Sequence, residues 1–467
     1  MFDPNDPATR AQFRSLFGAL VLDPRLALGR VLSTDWIAEV VAAEVGKTAD
    51  RLFSPLVTLA LFLGQVLSDD HSCRGAVARL LAWRAARGLS ECSPDDGGYC
   101  KARRRLPDQL LPRLVRESAD RLQAQASKDW LFHGRRVLIA DGSTVSMSDT
   151  PANQSAFPQH SNQKPGCGFP IARILVLLSL ATGCVLDAAI GANKGKMTGE
   201  HALLRSLRGR LKKGDILLAD AYYSSFDAII ALVQMGVDVV MRKTCSRPTD
   251  FGRGTSLGSE DHLVQWHRDR NRRPWMSRAE FIAMPRVLLM RELLVRVEKP
   301  GFRTKQIVVV TTLLDPEAYS RDQLANLYRA RWNVELDIRS IKQTFRMDVL
   351  RCKTPDMVRK EVWAHLLVYN MIRGVMAEAA RQHGILPREL SVQGARQTLD
   401  AFRSESAMMA CEDAPQCKQL ILRALAYHRV ADRPDRVEPR VVKRRPKAYP
   451  RMQVPRKIDR RHLMNAA

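Results

Sequence analysis

Nowhere in the 467 residues is there an apolar run long enough to cross a bilayer. The two most apolar stretches, Leu56 to Leu67 and Ile174 to Leu180, fall far short of the roughly 20 residues a spanning helix needs, and Arg173 and Asp187 flank the second. No membrane role is expected. The basic start and apolar centre of a secretory leader are also missing, because the chain opens MFDPNDPATRAQF, polar and acidic. The nine cysteines are scattered, with no Cys-x-x-Cys and no Cys/His cluster at zinc spacing, which predicts reduced thiols in a cytoplasmic protein. Negative charge is scarce: 49 acidic residues stand against 74 basic ones, a formal net charge of +25. An excess of that size points to a polyanion, and nucleic acid is the first partner to consider.

What is present is ordinary for a folded protein. Hydrophobic residues make up 45% and charged residues 26%, so the basic excess decorates a globular body rather than a disordered chain. At about 150 residues per domain the length allows some three domains' worth of material. From Pro4 to about Asp129 apolar residues recur at three- and four-residue spacing, as in GAVARLLAWRAARGL and QLLPRLVRESADRLQAQA, predicting a helical region over residues 1–130. Within it GGYCKARRRLP sets Lys101, Arg103, Arg104 and Arg105 after a Gly-Gly turn, a helix start that either faces phosphates or is merely solvated.

The texture changes at Arg135. RRVLIADGSTVSM reads as a strand ending at Asp141, followed by strands in IARILVLLSL and GCVLDAAIG, a helix in GEHALLRSLRGRL, the strand DILLAD ending at Asp220, a further helix and the strand VDVVMRK. A meander followed by alternating helix and strand predicts an α/β fold: a mixed sheet with helices on its faces, its first part over 131–243. Residues 244–303 read as a β-rich insertion that interrupts the sheet domain, and 304–350 as its second part, with the strand KQIVVVTTLL and one long helix from about Arg321 to Phe345. A helical region over 351–432 leads to a basic tail, 433–467. From Arg440 to Ala467 the tail holds ten Lys or Arg and one acid, with five prolines between Pro434 and Pro455, and is expected to be extended and to track DNA.

Asp141 and Asp220 each close a strand, where a short acid projects from the sheet edge into a crevice; strand-end aspartates are also ordinary turn formers. The helix YRARWNVELDIRSIKQTFR, laid out at about 100° per residue, gathers Leu327, Val334, Ile338, Ile341 and Phe345 into a core-facing stripe. Tyr328, Arg331, Glu335, Arg339, Lys342 and Arg346 fall on an adjoining arc. One carboxylate thus lies among cations beside the buried stripe, although pairing of Glu335 with Arg331 and Arg339 four residues away accounts for the same pattern. Glu200 and His201 at a helix start read as a simple helix-entry pair.

Tyr328, Arg331, Glu335 and Lys342, at that spacing, resemble the Y-R-E-K signature of the insertion-sequence-four family of DDE transposases. Asp220-Ala221-Tyr222-Tyr223 resembles the family's second-aspartate motif, Asp-x-x-Tyr, and Asp141-Gly142-Ser143 its first-aspartate strand end. The likeness extends over nearly the whole chain, and the order Asp, Asp, β-insertion, Glu fits it. It implies an RNase H-like mixed-sheet catalytic core interrupted by the insertion, preceded by a helical N-terminal DNA-binding domain. It further implies Asp141, Asp220 and Glu335 as catalytic ligands of two Mg²⁺ ions, replaceable by Mn²⁺, with Asp141 bridging both. All-oxygen coordination of this kind needs no His or Cys.

The implied activity is cut-and-paste transposition: cleavage at inverted-repeat ends of double-stranded DNA and strand transfer into a target. The implied assembly is a homodimer acting on the bacterial nucleoid in the cytoplasm. A nuclease of the same fold that never joins strands, or an inactive DNA-binding descendant, remain alternatives. Arg331 and Lys342 are expected to grip phosphates. Tyr328 and Tyr223 are expected to orient the backbone or shape the pocket. Trp332 and Trp266 are candidates to stack on an unpaired base.

Overall fold

The computed structural model describes residues 2–22, 32–195, 197–296, 306–406, 414–430 and 452–466. Six helices come first: α1 (Pro7–Leu20), α2 (Thr34–Val45), α3 (Pro55–Leu67), α4 (Cys73–Ala85), α5 (Gly97–Arg105) and α6 (Leu110–Ala124). Asp6, Ser33, Ser54 and Ser72 cap the first four, each side-chain oxygen accepting a backbone N–H three residues on. α3, apolar on all sides, is buried almost throughout.

The sheet follows, as β1 (Val137–Met147), α7 (Pro151–Ala156), β2 (Ile171–Ser179), β3 (Val185–Ala192), α8 (Glu200–Leu207), β4 (Ile216–Ala219), α9 (Phe226–Val233) and β5 (Asp238–Arg242). Next come β6 (Thr255–Gly258), β7 (Asp261–His267), α10 (Arg278–Ala283), β8 (Val287–Arg296) and β9 (Gln306–Thr311). α11 (Arg321–Ala330), α12 (Asn333–Arg339), β10 (Val349–Leu350), α13 (Pro355–Gln382), α14 (Val392–Ser406), α15 (Ala414–Tyr427) and α16 (Arg456–Ala466) complete the chain.

The strand order is β3-β2-β1-β4-β5-β9-β8-β7-β6, with β10 also on β1. β1, β4 and β5 are parallel, and the remaining pairings along the sheet are antiparallel. The β-rich stretch falls in sequence between β5 and β9 and joins the same sheet. Its strands β6, β7 and β8 continue the sheet through β9, because β9 returns antiparallel to β5 and offers its other edge to β8. Two buried ion pairs tie this extension: Arg291 to Asp261, as a two-bond fork of 2.9 and 2.6 Å, and Lys243 to Glu292 at 2.5 Å.

The 28-residue α13 runs through the middle of the molecule and packs on α3, α6 and α15, so N-terminal helices, sheet and C-terminal helices share one apolar core. Two expectations change. The tail is not extended to its end: once the prolines stop at Pro455, good helix formers with Asp459 in the first turn build α16, while 431–451 lie outside the described residues. The long helix expected over Arg321 to Phe345 is broken. The N–H groups of Arg331, Trp332, Val334 and Glu335 bond carbonyls three residues back, tightening the turn between α11 and α12, and Ser340–Thr344 then loosens into a π-turn.

Candidate active site

β1 positions the first carboxylate. The strand does not end at Asp141 but runs six residues further, because β2 pairs with it from Leu138 to Ser146. What ends is the neighbour on its other edge. β4 pairs in parallel, Val137 with Ile216, Leu138 with Leu217 and Ile139 with Leu218, and stops at Ala219. Carrying that register two residues on sets Asp141 abreast of Asp220, across one strand spacing of about 4.8 Å. Asp220 caps the short turn Ala221–Tyr223, its carboxylate accepting the Tyr222 N–H.

Glu335 comes from α12, which packs on β1. Arg331 joins the acids: its Nη2 donates to Glu335 Oε1 at 3.2 Å, and its charge pulls the Asp141 pKa down. It is nearly buried, with Nε left without a hydrogen-bond partner, and the buried Tyr328 phenol lies against it. Lys342 Nζ donates to Ser143 Oγ at 3.3 Å, on the same face of β1 as Asp141. The helix stripe packs as its spacing predicts, with Leu327, Val334, Ile341 and Phe345 buried and Ile338 half-buried. The Glu335 side chain, 53% exposed, opens to solvent, and Trp332 is exposed beside Arg331, whose guanidinium lies 5.1 Å from its ring centre.

A residue that the sequence reading dismissed belongs here. Glu200 opens α8, where the helix dipole favours an acid. Its carboxylate lies against Gly142 so closely that a Cβ there would meet Oε1 and Oε2 at 2.6 and 2.9 Å. Glycine after Asp141 thus serves close approach rather than a turn. The Tyr223 hydroxyl donates to Glu200 Oε2 at 2.8 Å, and Tyr223 is buried. Of the two roles expected for it, this burial and bond match shaping the pocket: Tyr223 braces Glu200. The expectation that Trp266 stacks on a base is corrected. It is buried, its Nε1 donates to Glu292 Oε1 at 2.7 Å and Arg247 covers the ring, so it is a packing element of the sheet extension.

Burial first, then the charges of Glu200 and Asp220, push the Asp141 carboxyl up to about 6, against the downward pull of the Gly142 N–H and Arg331. Four carboxylates, Asp141, Asp220, Glu200 and Glu335, gather against two cations, Arg331 and Lys342, an excess of negative charge that a divalent cation would relieve. The donors are all oxygen, which suits a hard ion. They are also open: among the described residues the one group of three His, Cys, Asp or Glu donors lying within 4.8 Å of one another is elsewhere, at Cys73, Asp96 and Cys100.

Acids abreast on two central parallel strands of a 3-2-1-4-5 sheet, with a third on a helix packed over the first, define an RNase H-like enzyme of phosphodiester chemistry. A family model, the transposase DDE domain, matches residues 132–371, just over half the chain. The transposase InsG of insertion sequence element IS4 from Escherichia coli K12 is 26% identical over 361 residues, covering 75% of this chain and 77% of that protein. The putative transposase InsL of IS186A from the same organism is 33% identical over 69 residues, 15% of this chain and 19% of its own. The piggyBac transposase, solved as a synaptic complex with hairpin DNA, aligns with 90% of this chain and 85% of its own at 10% identity and a TM-score of 0.41, a likeness too slight to carry argument. The chain belongs to the insertion-sequence-four family of DDE transposases. It is a DNA transposase, with the DNA binding and divalent-metal use of that class. Among the described residues no helix is long and apolar enough to cross a membrane.

Proposed function

We propose that Asp141, Asp220 and Glu335 hold two Mg²⁺ ions, replaceable by Mn²⁺, and that the enzyme moves its element by cut and paste. The observation that carries this reading is the β1/β4 register, which sets two carboxylates abreast while Arg331 ties the third to the first. When bound, such a pair of ions stabilises the attacking and leaving oxygens on opposite sides of phosphorus. The chain's own residues do the rest. Asp141 and Ser143 line one face of β1, with Lys342 held at Ser143 as a point charge for a phosphate on the scissile strand. Arg331 offers a planar guanidinium already inside the acid cluster, where its fixed positive charge faces the carboxylates and a phosphate brought to them. Glu200, braced by Tyr223, crowds Asp141 and keeps its carboxylate in demand of positive charge. Trp332, exposed beside this arc, offers a stacking face for an unpaired base at the element's end. Two ends are joined to one target, so we place the chain as a homodimer on DNA in the bacterial nucleoid.

The test uses purified protein, duplexes ending in the element's own inverted repeat, and Mg²⁺. Cleavage at the end followed by insertion of the 3′-hydroxyl into a second duplex is the expected result. Cleavage without joining would make the chain a nuclease of this fold, and cleavage undiminished in Asp141→Ala would overturn the site.

A further inference from the structure

Far along the chain from these carboxylates, three donors converge on the N-terminal helices. Cys73 is the first residue of α4, while Asp96 and Cys100 lie four apart at the start of α5, on one face. Their Sγ and carboxylate atoms all lie within 4.8 Å of one another. Asp96 occupies the N-cap of α5, where an aspartate ordinarily accepts a backbone N–H, yet it makes no capping bond. Its carboxylate is available to the thiols. Scattered spacing in the sequence hid this group, because one thiol comes from a different helix.

The surroundings are built around it. Arg103, buried on the next turn of α5, sends Nη2 to Cys73 Sγ at 3.0 Å and to Cys100 Sγ at 3.8 Å. Gln65 Oε1 accepts from Tyr99 at 2.8 Å and from Arg103 Nη1 at 3.3 Å, and Gln65 Nε2 points at Cys73 Sγ from 3.7 Å. Phe62 and Tyr99 face the guanidinium at 5.1 and 5.0 Å. Among the described residues Arg103 has no carboxylate in ion-pair contact, so a buried cation is aimed at two sulfurs. N–H groups directed at sulfur are the outer partners that orient thiolate ligands.

We infer that Cys73, Cys100 and Asp96 bind a borderline-soft divalent cation of the zinc class, with Arg103 and Gln65 as outer partners. Two thiolates select such an ion over Mg²⁺, and three protein donors leave the fourth tetrahedral position to solvent. Tetrahedral zinc–sulfur bonds of about 2.3 Å set sulfurs ~3.8 Å apart, so donors already within 4.8 Å draw in by no more than about 1 Å. Charge balances as well. Without metal the cluster carries Asp96 negative, Arg103 positive and two neutral thiols. Loading adds one M²⁺, forms two M–S bonds and releases two protons, so the net charge stays at zero. The bound ion would pin α5 to α4 and fix the attitude of the exposed Lys101, Arg104 and Arg105.

Full-length protein, reduced, stripped with chelator and held in millimolar Mg²⁺ to fill oxygen sites, is titrated with Co²⁺ and then Zn²⁺. One equivalent of Co²⁺ should give thiolate-to-cobalt charge-transfer bands, and Zn²⁺ should bleach them. Against a chromophoric chelator, Cys73→Ser and Cys100→Ser should each lower Zn²⁺ affinity by more than about 100-fold, and Asp96→Asn, which keeps side-chain volume, by about 10-fold. Cys184→Ser, a buried cysteine elsewhere, should leave both readouts unchanged. Absence of the charge-transfer bands, or their survival in the Cys73→Ser/Cys100→Ser double variant, would overturn the assignment.

Discussion

Replacing Asp141 by Asn should make the metal-free protein more stable while removing its activity. An aspartate whose pKa stands at about 6 in the fold, against 3.8 in the open chain, contributes stability that is fully present below pH 3.8 and is lost as pH rises through about 6. Above that, keeping the carboxylate ionised in its buried place, with Glu200 and Asp220 adding to the cost, takes about 3 kcal/mol, at roughly 1.4 kcal/mol per pH unit. Residual solvent contact trims this to about 1–3 kcal/mol. Asparagine keeps the shape and an oxygen to accept the Gly142 N–H, now 2.9 Å from Oδ1, but carries no charge. In chelator at pH 7.5, Asp141→Asn should therefore melt roughly 1–3 °C above the wild type. At pH 4.5, where the folded carboxyl is mostly protonated but the open-chain one is already largely ionised, the gain should shrink to about a third of its value at pH 7.5. Adding Mn²⁺ should raise the wild-type Tm and leave the variant's unchanged. A variant that is less stable at pH 7.5, or equally stabilised at both pH values, would refute the reasoning, because the elevated pKa would not then reflect crowded, unneutralised acids.

Other consequences follow from the same site. If Glu335 acts as the proposed metal ligand, Glu335→Ala should bring cleavage to background with DNA affinity within about twofold of wild type by gel shift. In the metal-free protein Glu200→Gln should lower the Asp141 titration midpoint from about 6 by on the order of half to one pH unit, read by carboxyl NMR in chelator, because burial outweighs Glu200 as the cause of the rise; an unmoved midpoint would remove Glu200 from the cluster. Trp332→Ala should weaken binding of ends carrying an unpaired base by about 1–3 kcal/mol and leave fully paired ends unaffected, measured by competition titration.

Much of the site could be read from the chain because it is written in local terms. Apolar runs stop at Asp141 and Asp220, and Tyr328, Arg331, Glu335 and Lys342 share one arc beside a stripe that packs as its spacing demands. Glu200 escaped because its meaning depends on Gly142, 58 residues earlier, and only sheet packing brings the two together. Asp337 escaped for a similar reason. On the helical wheel it lies off the stripe, yet it is buried, held by the Tyr369 hydroxyl at 2.9 Å and by Arg388 from distant helices. Trp266 was misplaced because surrounding cations look alike whether they face phosphates or, as Arg247 does, cover the ring. Strand pairing is likewise non-local: alternation marked the β-rich stretch but held no sign that β9 would weld it to β5.

The convergence of the acids follows from how one edge of β1 is shared. β4 covers that edge over Val137–Ile139, and β10 covers it over Ser146–Met147, pairing with Val349 and Leu350. The five or so residues between, Asp141 among them, have neither strand beside them. β10 follows α12 by only ten residues, so docking β10 on β1 draws the helix across the open stretch, and the Ser146 N–H to Asp348 carbonyl bond of 3.0 Å closes that connection. The tightened turn at Arg331 and the π-turn at Ser340–Thr344 are the adjustments that let an apolar stripe keep facing the core while Arg331, Glu335 and Lys342 are delivered to the gap. The irregular turns thus lie at and after Glu335, the proposed third ligand, where local geometry yields to packing.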